Sequence, residues 1–125
     1  MVLISTSFHN FPQNKFFSKK FFNEEIKKNI LLLDKNNKKI SLAIVFLSRN
    51  KMRQLNSYWR KKDKATTVLS FVDSGSEDNL ISEKILGDLF LCPEEIYDFS
   101  KERKESLKEA YQKIIQHGIL NFYQK

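Results

Sequence analysis

Three observations predict an α+β domain with about four strands and helices packed on them. Short apolar runs at residues 40–47, 68–72 and 85–92 have the length of strands rather than of helices. Two longer stretches, about 15–33 and 100–117, repeat apolar residues at the three- and four-residue spacing of a helix. The two kinds of segment alternate along the chain, the pattern of a sheet covered by helices. With 125 residues, 41% apolar and 30% charged, residues 1–125 are expected to form one domain around one core.

Residues 1–8 alternate weakly, Val2 and Ile4 against Ser5 and Ser7, and read as the first strand. His9 lies just beyond with no partner nearby in sequence, so a surface or capping position is expected. Phe11-Pro12 breaks the chain. In the helix over 15–33, Phe17, Phe21, Phe22, Ile26, Ile30 and Leu33 form one stripe, and lysines fill the other side. That stripe reads as core, because base-stacking residues usually sit on strands or loops beside the charge. Asp34 to Lys39 is a turn by composition.

Ile40 to Leu47 is nearly all apolar, which predicts burial on both faces. Ser48 suits the N-cap of a short helix over 51–59 that turns Met52 and Leu55 inward. A basic loop leads to the strand Val68–Val72, and residues 73–79 form an acidic connection by composition. That connection lacks the alternation and terminal glutamate of a calcium loop. Gly87-Asp88, inside the strand at 85–92, marks a bulge or a close backbone approach. Pro93 suits a first helical turn, with Glu94 and Glu95 favouring the dipole. The last helix is expected from about Ser100 through His117. Leu107, Tyr111, Ile114, Ile115 and Ile119 turn inward, with Ala110 between them.

Composition narrows the function classes. No apolar run approaches the roughly 18 residues of a membrane-spanning helix. The N-terminus lacks the basic start of a secretion signal. The single Cys92 excludes an internal disulfide, so a cytoplasmic location is the expectation. Net charge is +7 and uneven: residues 1–64 carry 15 Lys/Arg against 4 acids, and residues 65–125 carry 7 against 11. A basic half of this kind fits a polyanion such as RNA, although a lysine-rich composition alone produces part of the excess.

The charge is densest where Arg60, Lys61, Lys62 and Lys64 surround Asp63, directly after Trp59 and just before an apolar strand. A charged loop mounted on a strand is a common seat for anionic ligands, and also a common solvated connection. Trp59, at a helix end, either packs into the core or stacks on an unpaired base.

Leu55-Asn56, Tyr58 to Arg60, Lys62-Asp63-Lys64, and Thr66 followed by Val68-Leu69-Ser70-Phe71 resemble the LNxxYRxKDKPTDVLSF signature of the YbeY family. Leu86-Gly87-Asp88 and His117-Gly118-x-Leu120 extend the resemblance, the latter matching the start of the family's HGxLHLxGYDH zinc motif. The resemblance implies a zincin-like α+β fold with helices over one face. It also implies a metal-dependent endoribonuclease that acts on single-stranded rRNA in small-subunit maturation. The implied partners are rRNA and the small ribosomal subunit, with no membrane and no DNA. Arg60 falls on the family's functional arginine, and Lys61, Lys62, Lys64 and Trp59 would join it on RNA.

The metal motif departs from the pattern. In the family two histidines one helical turn apart, and a third further on, hold zinc and leave a position for water. Here His117 matches the first, Asn121 stands at the second, and the third position falls two residues beyond Lys125. An amide oxygen is a poor zinc donor beside imidazole, so zinc is doubtful in this chain although it belongs to the family. Ala65-Thr66-Thr67 replaces the family's Pro-Thr-Asp, which predicts a less rigid loop.

Three readings follow. One is a YbeY-type rRNA protein, its alternative form being an RNA- or ribosome-binding module that has lost the zinc site. The second is a metalloenzyme completed by another chain or by an unusual set such as His117, Asp88 and a water. The third is a folded remnant with no RNA role.

Overall fold

The computed structural model describes residues 2–12, 17–36, 39–73 and 83–124. In chain order the elements are β1 (Leu3–His9), α1 (Lys19–Leu33), β2 (Lys39–Phe46), α2 (Arg49–Arg60), β3 (Val68–Val72), β4 (Glu83–Leu91), α3 (Pro93–Arg103) and α4 (Leu107–Tyr123). The strands form one mixed sheet in the order β1-β2-β4-β3. The β1–β2 and β2–β4 pairs are parallel, and β3 lies antiparallel along β4 as an edge strand. No helix among the described residues is long and apolar enough to cross a membrane.

Alternation along the strands sorts their side chains between two faces. On one face α1 and α4 pack side by side, burying Phe22, Ile26 and Ile30 with Ile114, Ile115 and Ile119 against Ile40, Leu42, Ile44 and Leu89. This is the core that the Phe-rich stripe and the C-terminal stripe predict, with Phe17 and Phe21 at its margin, but Leu33 of the expected stripe is exposed at the end of α1. On the other face α2 lays Met52 and Leu55 against Leu69, Phe71, Phe90 and Cys92 in a second, smaller cluster. The expectation of helices over one face is therefore corrected. β3 and β4 are apolar on both sides, so both sides need cover.

β2 is corrected in the opposite sense. Its burial alternates, with Ile40, Leu42, Ile44 and Phe46 buried but Ser41, Ala43 and Val45 only half-buried. The reason is the reach of α2, whose apolar contacts on this face are with β3 and β4.

The C-terminal helical stretch is two helices, not one beginning near Ser100. α3 ends at Arg103, Lys104 takes a left-handed conformation (φ 55°), and α4 restarts behind the Ser106 N-cap. Ser106 and Glu109 complete a capping box. Ser100 is a buried residue of α3 whose hydroxyl donates to Tyr97 O (2.7 Å). The predicted bulge is present: the β2–β4 register shifts between Ser41 and Leu42, opposite Gly87 at φ 134°. Of the acidic connection, residues 74–79 lie outside the described residues.

Candidate nucleic-acid interface

Ser48 caps α2, its hydroxyl accepting from Lys51 N–H, and the helix ends at Arg60 because Lys61 turns left-handed (φ 60°). Lys62 N–H then donates back to Asn56 O (3.4 Å). Two further links hold the basic loop onto α2. Buried Asn56 donates from Nδ2 to Lys64 O (2.8 Å), and Arg53 grips Asp63 through two hydrogen bonds of 2.8 and 3.2 Å. The loop is thus clamped, contrary to the expectation drawn from Ala65-Thr66-Thr67. The Asn56 contact spans eight residues and needs the loop to fold back on the helix, which spacing alone does not reveal.

The clamp also shapes the charge. The Arg53 hydrogen bonds and positive charge hold the Asp63 carboxyl below the usual carboxylate range. Asp63 therefore neutralises Arg53, not the loop, and Arg60, Lys61, Lys62 and Lys64 all stand exposed beside it.

Of its two possible roles, Trp59 does not take the core one. It is 60% exposed and Tyr58 is 69% exposed, far outside the packed interior. The rings form a chain of edge-to-face contacts, Tyr58 to Trp59 at 5.0 Å, Trp59 to Phe71 at 6.0 Å and Phe71 to Phe90 at 5.4 Å. Arg60 reaches β3: its Nη2 donates to Ser70 O (3.2 Å), and its guanidinium carbon lies 5.5 Å from the Phe71 ring centroid. A guanidinium carries five N–H donors, so this single bond orients the group without exhausting it.

On the far side of β3 lies α4. Ser70 Oγ donates to Gly118 O (2.8 Å), and a Cβ on Gly118 would come within 2.6 Å of Leu89 Cδ1 and 3.0 Å of Val68 Cγ2. The glycine of the His-Gly pair thus has a packing reason: it lets α4 lie close on β3 and β4. His117 is exposed and Asn121 half-buried, one helical turn apart. Ser70 ties the two parts of the site together, its carbonyl holding Arg60 and its hydroxyl holding the backbone next to His117.

Asp88 does not join them. It pairs across the sheet with Ala43 and Phe71, on the face away from Leu89 and α4. The set of His117 with Asp88 is therefore not assembled in this fold. Neither Ser70 nor Cys92 offers a free nucleophile. The Ser70 hydroxyl is committed to Gly118, and Cys92 is fully buried, with burial pushing its thiol pKa up. His9 is exposed at the end of β1, near Ser7 Oγ (3.4 Å).

The donor set does not fit a tight zinc site. His117 is followed by an amide at the next ligand position, and the described residues hold no group of three or more His, Cys, Asp or Glu able to share an ion. Elemental mass spectrometry of the purified, untagged chain is expected to find well under one zinc per chain. A value near one would overturn this account of the donor set.

Fold and site first define a class: an α+β protein that presents a rigid cationic, aromatic-flanked loop at the antiparallel edge of a mixed sheet. The family model for Endoribonuclease YbeY matches residues 8–123, and the chain belongs to that family. It is 30% identical to Endoribonuclease YbeY of Malacoplasma penetrans over 111 residues, covering 87% of this chain and 73% of the relative. It is 31% identical to Endoribonuclease YbeY of Buchnera aphidicola over 77% of this chain and 60% of the relative. With the Colwellia psychrerythraea protein of the same name the figures are 36%, 68% and 54%. The chain thus spans about half to three quarters of the length of these relatives. The solution structure of TM1509 from Thermotoga maritima shares the fold, with TM-score 0.56 at 20% identity over all of this chain and 73% of that one. The family resemblance carried by the three motifs is borne out, as is the α+β fold.

Proposed function

We propose that this chain acts in rRNA maturation as a YbeY-type protein that grips single-stranded RNA with the surface from Tyr58 to Lys64. The family activity is metal-dependent endoribonuclease action on single-stranded rRNA, in the setting of the small ribosomal subunit. The observation that carries the reading is the clamped loop: four exposed cations beside two exposed aromatic rings, with the loop's one acid drawn off by Arg53.

Each part has a physical task. Lys61, Lys62 and Lys64 neutralise phosphates and release counterions, which lowers log affinity by about 0.7 per phosphate for each decade of salt on a single strand. Arg60 offers a planar fork suited to two phosphate oxygens. Trp59 supplies a stacking face for an unpaired base, worth about 1–3 kcal/mol. A loop held by Asn56 and Arg53 loses little freedom on binding, so less of the interaction is offset by ordering.

A second reading, favoured by Asn121, is a binding module that keeps the fold and the RNA surface while zinc-dependent hydrolysis is weak or lost. Both readings share the RNA surface. Arg60→Ala is expected to weaken binding of a single-stranded rRNA fragment about tenfold and to make the salt slope shallower by about 0.7. Unchanged affinity and slope would contradict the assignment of this surface.

A further inference from the structure

The open face of the sheet, beside α2, carries a groove of about 500 Å³ lined by Ser5 and Ser7 of β1, Ser41 of β2, Phe71 of β3, and Ile85 and Asp88 of β4. The register places Ser7, Ala43, Asp88 and Phe71 in one row across all four strands. That row ends at Phe71, over which Arg60 lies and beside which Trp59 stands. The groove is therefore continuous with the cationic loop, entered past an aromatic side wall. Asp88 is exposed, one strand in from the edge, and its carboxylate has neither an ion pair nor a hydrogen bond among the described residues.

We propose that this groove is a base-recognition subsite for a guanine of the bound single strand. The inference rests on the RNA reading given above. A carboxylate repels phosphate, so Asp88 keeps the backbone out on the loop and admits only the base. An ionised carboxylate is acceptor-only, with two oxygens side by side. Guanine alone among the four RNA bases offers two adjacent N–H donors on its Watson–Crick edge, N1–H and N2–H, and can pair with it in bidentate fashion. Adenine and cytosine offer one exocyclic amino group beside an acceptor nitrogen, and uracil one N–H between two carbonyls, so each would set an acceptor against the carboxylate. The serine hydroxyls, which both donate and accept, suit the remaining base and ribose oxygens. Phe71 gives the apolar wall on which an unstacked base rests.

Fluorescence anisotropy with labelled hexanucleotides tests this. One probe is all uridine, a second carries a single guanosine, and a third carries inosine in its place, lacking the N2 amino group. Wild-type protein is expected to bind the guanosine probe about tenfold more tightly than the other two, the scale of one bidentate base contact. Asp88→Asn replaces one acceptor with a donor, and should erase that preference while leaving uridine affinity and its salt slope in place. Arg60→Ala should weaken all three probes alike. Equal binding of the three probes by wild type, or a guanosine preference that survives Asp88→Asn, would overturn the subsite and leave the RNA surface standing. Binding of none of them would overturn both.

Discussion

Gly87→Ala is expected to lose about 3 kcal/mol or more of stability, read as a shift in the chemical-denaturation midpoint. The added Cβ would sit 1.9 Å from Phe71 O and 2.8 Å from Asp73 N, both backbone atoms that cannot swing aside. The residue's φ of 134° is also one that side-chain-bearing residues rarely adopt. This is the point where β4 bulges against β2 and meets the end of β3, so the strain falls on the edge strand that carries Arg60's anchor. Gly118→Ala makes the useful contrast. Its Cβ meets the side-chain ends of Leu89 and Val68, which can give way, and alanine recovers about 1 kcal/mol of helix propensity. The Gly118 variant is expected to cost clearly less. Equal stability of Gly87→Ala and wild type would contradict the bulge geometry.

Replacing Lys61, Lys62 and Lys64 together by alanine is expected to weaken single-stranded RNA binding about a hundredfold at moderate salt, with the salt slope shallower by about 2. The three residues are exposed, and neither the Asn56 bond to the backbone of Lys64 nor the Arg53–Asp63 pair uses their charge. Folding stability should therefore stay within about 0.5 kcal/mol of wild type, the usual range for surface changes. A drop in affinity with an unchanged salt slope would mean that the lysines act other than on phosphate. An unchanged affinity would move the RNA surface elsewhere.

Much of this was legible in the sequence because it depends on local signals. Apolar runs, the Ser48 cap, the Pro93 start and the Gly87-Asp88 irregularity each act within a few residues, and the structure contains all four. The break between α3 and α4 falls in residues 100–106, a polar run with no apolar residue to show whether the helix continues, although Ser106 and Glu109 stand at capping-box spacing. The position of α2 on the reverse face was hidden for a different reason. The apolar runs at 68–72 and 85–92 already imply two faces to cover, and only the tertiary contacts show that α2 covers the second.

The candidate site divides in the same way. The cationic loop reads directly from composition, and its membership of the site follows from the family signature. Its clamp does not, since Arg53 to Asp63 and Asn56 to Lys64 are contacts made only when the chain turns back on α2. The exposure of Trp59 depends on where α2 ends relative to the sheet edge, and the groove depends on which strands α2 leaves open. Neither is a property of any single segment. The separation of Asp88 from His117 likewise follows from strand alternation combined with the face that α4 covers.

The most direct test of the RNA surface is photo-crosslinking of a short single-stranded RNA to the intact protein, followed by peptide mapping. The expected crosslinks fall within Tyr58 to Lys64, the exposed rings and cations at the edge of the sheet, and at the half-buried Phe71 beside them. Crosslinks confined to the lysine-bearing face of α1, at Lys20, Lys27 and Lys28, with none in residues 58–64, would contradict it.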